Sequence, residues 1–436
     1  MQARIEELEA QLNQNSQNSH RPPSADGFHK PQPKPAFPKP KKPRGGQAGH
    51  RGQTLRRVAQ PDAVVACEPP PCPCGLPDVA QGQQVLERRQ VFELPEPRLE
   101  VTEYQRLERT CQCGRRRCGE FPEGVSAPVQ YGVKVQALVS LLSVQGCLSH
   151  GKIGQLFADL YGYELNTATS QEMVQRTAAV MPLAVLQAGL LASPVIHCDE
   201  TGLRENGVLR WLHTVSTADL TYQFVHEKRG GEALRSAESV LPEYRGIVVH
   251  DCWSSYFSFT EARHALCNAH ILRELTALVE GGSEWAGALH ELLLEMYVAS
   301  GGGSSVITEM SRYEARYREI LSAGEAEEPE PARVKTKGKL KRTKGRNLLE
   351  RLQRYEEAVL RFAREALVPF TNNQAERDLR GAKVKQKVSG GFRAASGAAS
   401  YSRIQSFILT LRKLNRQVYE ELVSVIRGNQ FEILKT

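Results

Sequence analysis

Three carboxylates stand out for the chemistry their surroundings would allow. Asp199 lies within a β-like run, VIHCDETGLRE (195–205), and Asp251 closes a second, GIVVHD (246–251). Hard cations such as Mg2+ take carboxylate oxygens. Two of them roughly 4 Å apart activate a water or 3′-hydroxyl and stabilise the leaving oxygen of a phosphodiester. Two aspartates alone hold two such ions poorly, so a third carboxylate is required. Glu376 is the candidate, in VPFTNNQAERDLRGAKVKQKVSG (368–390), heading a helix-like run with Arg380, Lys383, Lys385 and Lys387. A local explanation competes. With Asn373 as N-cap, Glu376 falls at the third helical position of a capping box, and it precedes Arg380 in the favourable order for an ion pair. That accounts for one residue, whereas metal binding also accounts for the aspartates and for the phosphate-seeking cations. Asn373 is therefore expected to cap the helix and Glu376 to face metal. Arg380, Lys383 and Lys387 share roughly its helical face and are candidates for gripping a nucleic-acid backbone.

The elements that must position these residues read as α/β. VIHCDETGLRE leads into Asn206-Gly207, the strongest short hairpin signal, and VLRWLHTVS and LTYQFVHE supply two further strands. A helical stretch, GGEALRSAESVL, precedes GIVVHD, whose apolar run suits a buried strand. HALCNAH then leads into the helix ILRELTALV. Three antiparallel strands, a helix, a strand, then strand and helix is the order of a ribonuclease-H-like core. In that topology the strands of Asp199 and Asp251 are neighbours. Two other acids compete for a place. Glu200 faces away from Asp199 if the strand is regular, and Asp378 points away from Glu376 because a helix turns about 100° per residue. Cys267 and His270, a C-X2-H pair, either support the site, bind metal with His264, or simply pack. Trp253 and Tyr256, after Asp251, either stack on an unpaired base or belong to the core.

Ahead of this core the chain changes character. Residues 1–12 have helical spacing, with Ile5, Leu8 and Leu12 on one face. Residues 30–57 are rich in proline and basic side chains without one acid, which suits an extended arm, either a plain linker or a contact for phosphates. Six of the ten cysteines lie in 67–120, with Cys-X-Cys-Gly repeated at 72–75 and 111–114 around a β-like stretch. Cys72, Cys74, Cys111 and Cys113 make a candidate tetrahedral Zn2+ site, with Cys67 or Cys118 as stand-ins and reduced, metal-free thiols as the alternative. Residues 131–190 read as helices, compatible with a helix-turn-helix DNA reader or with an ordinary bundle. The net charge of +8 suits a polyanion partner. The longest uncharged stretch, 135–151, is too mixed for a membrane helix, and the acidic N-terminus is not an export signal. A cytoplasmic, nucleoid-associated protein is expected.

HCDETG (197–202), VLPEYRGIVVHDCWSSY (240–256), HALCNAHILREL (264–275), VPFTNNQAERDLRGAKVKQKVSGGFR (368–393), NSQNSHRPPSADG and RGGQAGHRG together resemble the transposases of the insertion sequence 66 family. The resemblance covers nearly the whole chain. It implies a ribonuclease-H-like fold and an Asp-Asp-Glu triad, here Asp199, Asp251 and Glu376, that uses Mg2+ to cleave and transfer DNA strands. It also implies a cysteine-rich, zinc-finger-like segment ahead of the core and a helical insertion before the glutamate. Thr371 departs from the pattern, where relatives commonly carry Asp.

The expected organisation is a short helix over 1–20, a basic arm over 21–60, a zinc-ribbon-like module over 61–125 and a helical DNA-binding region over 126–192. The core would follow over 193–275, interrupted by a helical insertion with a basic loop over 276–345, and completed over 346–436. The function expected is a DNA transposase with two Mg2+ per active site and a structural Zn2+. Its partners would be double-stranded DNA at element ends and target, further copies of itself, and companion proteins of the element, with no membrane. The alternative is a non-catalytic DNA-binding regulator, a domesticated or decayed copy.

Overall fold

A computed structural model describes residues 14, 15, 18, 55–68, 70, 73–74, 85–330 and 342–433. The chain divides into a small unit, Pro35–Glu103, and a large one made of Met1–Lys34 and Tyr104–Thr436. The expected helix over 1–12 and most of the basic arm lie outside the described residues. In the small unit the β-like stretch from residue 85 forms no strand. Leu86, Val91, Leu94 and Val101 are all exposed, so its alternating side chains have no face to bury. Val58 and Gln90 exchange two hydrogen bonds of 2.9 Å across it.

The first regular elements described in the large unit are a hairpin of β1 (Glu108–Thr110) and β2 (Arg116–Cys118), followed by four helices: α1 (Val133–Val144), α2 (His150–Tyr161), α3 (Thr167–Ala179) and α4 (Leu183–Leu191). Ser149 caps α2, Gly162 closes it in the left-handed conformation, and Asn166 caps α3. On α2, Ile153 and Phe157 are buried but Leu160 is exposed, so the apolar face is narrower than the sequence implies. The outward side of α3 carries a Glu172–Arg176 pair and no surplus of positive charge. Thr167–Leu191 is long and apolar enough to pass for a membrane span. It is two helices broken before Leu183, and Met173, Val174, Leu186 and Leu190 pack into the core.

The sheet follows. Its strands are β3 (Val195–Glu205), β4 (Val208–Ser216), β5 (Thr221–His226), then, after the short helix α5 (Gly231–Leu234), β6 (Ile247–His250) and β7 (Arg263–Leu266). They lie in the order β5-β4-β3-β6-β7. The first three are antiparallel and β6 and β7 run parallel to β3. Asn206 and Gly207 both take positive φ, 48° and 79°, the requirement of a tight primed turn. The remaining elements are helical: α6 (Asn268–Glu280), α7 (Glu284–Ala299), α8 (Met310–Glu327), α9 (Lys344–Arg354), α10 (Glu356–Arg364), α11 (Asn373–Ser389), α12 (Ala395–Lys413) and α13 (Val418–Ile426).

β6 is buried throughout, and its alternation sorts two cores. Val248 faces the first, with Ile196, Leu212, Phe407 and Leu422. Ile247 and Val249 face the second, with Leu275, Leu293, Leu349 and Val359. The stretch expected as an insertion thus builds the layer on one face of the sheet, and that layer extends to α10. Residues 331–341 of the basic block lie outside the described residues. At its described end, Arg342 pairs with Glu330 and Glu350, and Arg346 with Glu325 and Glu350, so these two arginines are already engaged by acids.

α11 is fastened to β3 at both ends. Asn372, and not Asn373, is its N-cap residue, and no side-chain cap forms. Asn372 is fully buried, and its amide donates to Cys198 O at 2.7 Å while its oxygen lies 2.9 Å from His197 Nδ1. Asn373 does not cap the helix as expected, and the buried asparagine before it joins helix to strand instead. At the far end, Phe392 N donates to Arg204 O and Asn206 N to Phe392 O, both at 2.7 Å. Gly391 makes this possible with φ +119°; a Cβ there would lie 2.6 Å from Arg204 O. Gly391→Ala should cost about 1–3 kcal/mol, read as a lower urea midpoint with an unchanged slope.

Candidate active site

Continuing the β3–β6 register beyond His197↔Val249 sets Asp199 level with Asp251, the first residue after β6. Asp199 is held well above the ordinary carboxylate range, first by burial and then by the charges of Glu200, Asp251 and Glu376. Asp251 and Glu376 therefore both lie within electrostatic reach of Asp199. Glu376, one turn into α11, has a buried Oε1 with no hydrogen-bond partner. That oxygen stands 3.8 Å from His270 Nδ1 and 3.8 Å from the Arg273 guanidinium, while Arg380, its expected ion-pair partner, is exposed.

The loop carrying Asp251 is set by a relay of neutral imidazoles. Cys252, in the left-handed region at φ 71°, donates its backbone N–H to His250 Nδ1 at 3.1 Å. The His250 proton must then sit on Nε2, which faces His264 Nδ1 at 3.2 Å, and His264 Nε2 in turn faces Phe259 O at 3.2 Å. His264 is committed to this relay and does not join Cys267 and His270. Burial lowers the proton affinity of both rings, helped at His250 by the charge of His264 and opposed at His264 by the hydrogen bond to Phe259. Asp251 Oδ1 accepts from Trp253 N at 3.1 Å, which shapes the turn.

Arg229, Glu200 and Tyr256 were not anticipated as a unit. Glu200 is not an idle outward acid. It is buried, accepting from Arg229 Nε and from the Tyr256 hydroxyl, both at 2.7 Å. Arg229 also reaches to 3.8 Å from Asp251 Oδ2 and lies over the Trp253 ring at 4.0 Å and the Trp211 ring at 5.1 Å. One face of Trp253 is thus covered from within the chain. Tyr256 is 2% exposed with its hydroxyl engaged, so it belongs to the core and does not stack on a base. No local pattern marks Arg229, since its partners lie 29 and 22 positions away by sequence number (229 − 200 and 251 − 229).

Of the predicted cationic contacts, Arg380 and Lys387 are exposed, whereas Lys383 is half-buried and donates to Gly202 O at 2.8 Å. Burial lowers its proton affinity and the charge of Asp199 opposes that. Lys385 is buried against Ser143 O at 2.8 Å and Asp378 against Lys413 at 2.7 Å, so both are structural. Of the zinc candidates, Cys72 lies outside the described residues and Cys74 belongs to the small unit. Cys111 and Cys113 share the β1–β2 turn, and hydrogen bonds from Cys113 lower the Cys111 thiol.

The family profile described as Transposase IS66 family matches residues 128–400. More than half of the chain is spanned, and the protein belongs to the IS66 family of transposases, enzymes that cut and move DNA. Residues 1–56 match a family of unknown function (DUF6444). No curated protein matches the chain.

Two outcomes follow from this geometry. Arg229→Ala leaves the buried Glu200 carboxylate short of a charged partner and should cost about 2 kcal/mol in urea unfolding. Burial also holds the His197 and His213 imidazoles down at about 4 from an ordinary 6.5. The unfolded chain takes up these protons first, so their contribution to stability is complete above 6.5 and is lost as pH falls towards 4. An NMR titration should find both rings neutral down to near pH 4, and titration near 6.5 would contradict their packing.

Proposed function

We propose that this chain is a Mg2+-dependent DDE transposase with a ribonuclease-H-like core, which binds the terminal repeats of its element and cleaves and joins DNA strands there. The observation that carries the reading is the convergence on Asp199, whose carboxyl is raised by burial and by the charges of Glu200, Asp251 and Glu376. Like charges gathered in a half-buried site raise each other's proton affinity, and a cation relieves them. The buried Oε1 of Glu376, which accepts no hydrogen bond and stands 3.8 Å from His270 and Arg273, fits the same role. Asp199 and Asp251 would hold the metal and Glu376 would complete its coordination. Mg2+ so bound supplies charge that activates an attacking hydroxyl and stabilises the leaving oxygen. Arg380 and Lys387, exposed on α11, would contact the DNA backbone, and Lys383 would balance charge beside Asp199. The five-strand order and the strand directions support the fold assignment.

Two measurements test this. Alanine at Asp199, Asp251 or Glu376 should abolish Mg2+-dependent joining of labelled element ends while leaving end binding largely intact. Full joining by Glu376→Ala would overturn the assignment, and cutting without joining by the parent chain would make it a nuclease of the same fold. The second measurement uses stability. Because the folded state raises Asp199 above its unfolded value, ionising it at neutral pH opposes folding. Asp199→Asn should therefore melt a few degrees higher than the parent in metal-free buffer. Mg2+ should raise the parent's melting temperature and leave that of the variant nearly unmoved.

A further inference from the structure

We propose that Cys267, His270 and Glu376 form a second metal site, one for a zinc-class divalent cation, which shares Glu376 with the carboxylate triad. One donor atom from each residue lies within 4.8 Å of the others. Cys267 precedes α6 and His270 lies in its first turn, so the strand-to-helix junction presents both on one side, three positions apart. Glu376 arrives from α11, where Asn372 N donates to Cys267 Sγ at 3.1 Å. That N–H···S bond orients the sulfur and ties the two helix starts together. The site is built from elements already rigid, with Cys267 1% exposed.

The donor set selects the metal. Sulfur, imidazole and a single carboxylate suit Zn2+ and its borderline neighbours, whereas Mg2+ seeks oxygen alone. Three protein ligands leave a fourth position open. Binding would displace the Cys267 thiol proton to solvent and draw the Glu376 carboxylate from Arg273, which now stands 3.8 Å from it. A glutamate engaged in this way is withdrawn from the triad. A zinc-class ion should therefore inhibit the Mg2+-dependent reaction, a consequence that rests on the function proposed above, while the binding site itself does not.

The test uses Co2+, whose bond to a thiolate gives a near-ultraviolet charge-transfer band. Full-length chain with Cys67, Cys72, Cys74, Cys111, Cys113 and Cys118 replaced by serine removes the six thiols of the cysteine-rich segment. Co2+ should give the band in this background and lose it on adding Cys267→Ser. His270→Ala should weaken binding by more than the roughly 10- to 100-fold that loss of an outer contact costs. Circular dichroism checks the fold of each variant, and His270→Gln with the thiol intact provides the same comparison should the serine variant unfold. No band in the background, or a band that survives Cys267→Ser, overturns the site. In the activity arm, Zn2+ should inhibit strand joining in the background and far less in His270→Ala relative to that variant's own rate. Equal inhibition would overturn the sharing of Glu376. A Cys267-dependent band in a chain without any Mg2+-dependent joining would uphold the site and defeat the transposase mechanism instead.

Discussion

The buried amide of Asn372 is the constraint on which the rest of the arrangement depends. It bonds at once to the backbone of β3 at Cys198 and to His197, while its own backbone N–H meets Cys267 at the start of α6. A strand, a helix from the middle of the chain and a helix from its final third therefore converge on one side chain. None of its polar atoms faces water, so each bond made there replaces hydration that is otherwise lost. The position of Glu376 follows from this anchor, because one helical turn separates the two residues.

Against that attraction stands a concentration of like charge. Asp199, Asp251, Glu376 and the neighbouring Glu200 all contribute to raising proton affinity in one region of the fold. Arg229 and Arg273 answer it, the first with Glu200 and Asp251 as partners, the second with Glu376. Among the described residues neither cation pairs with Asp199, whose carboxyl is raised well above the ordinary range by burial and by the acids around it. The fold tolerates an electrostatic conflict here that its cores do not contain, which is the pattern expected where a site is kept ready for a ligand.

What the sequence made legible was whatever is written locally. The Asn206-Gly207 turn, the two-faced burial of the short run at 247–250 and the order of strands all follow from near-neighbour chemistry. That the strands of Asp199 and Asp251 are neighbours follows from the expected topology, and their level placement from the register. Long-range pairings were not legible. Asn373 looked like the cap because a cap is judged from the residues after it, whereas the preceding asparagine was recruited by a strand 174 positions away. Glu200 was set aside on strand alternation, which is sound geometry but silent about Arg229 and Tyr256. The stretch from residue 85 has the alternation of a strand without a partner to give it meaning.

The helical layer of α7 to α10 lies between the two aspartates and the glutamate along the chain, and Glu376 comes 125 positions after Asp251 (376 − 251). A ribosome that has released the sheet strands has produced both aspartates and no third acid beside them. The layer that covers one sheet face must be synthesised, and must find its core, before α11 exists to dock. Convergence of the three carboxylates therefore waits for α11, and a copy that ends before it carries both aspartates without Glu376.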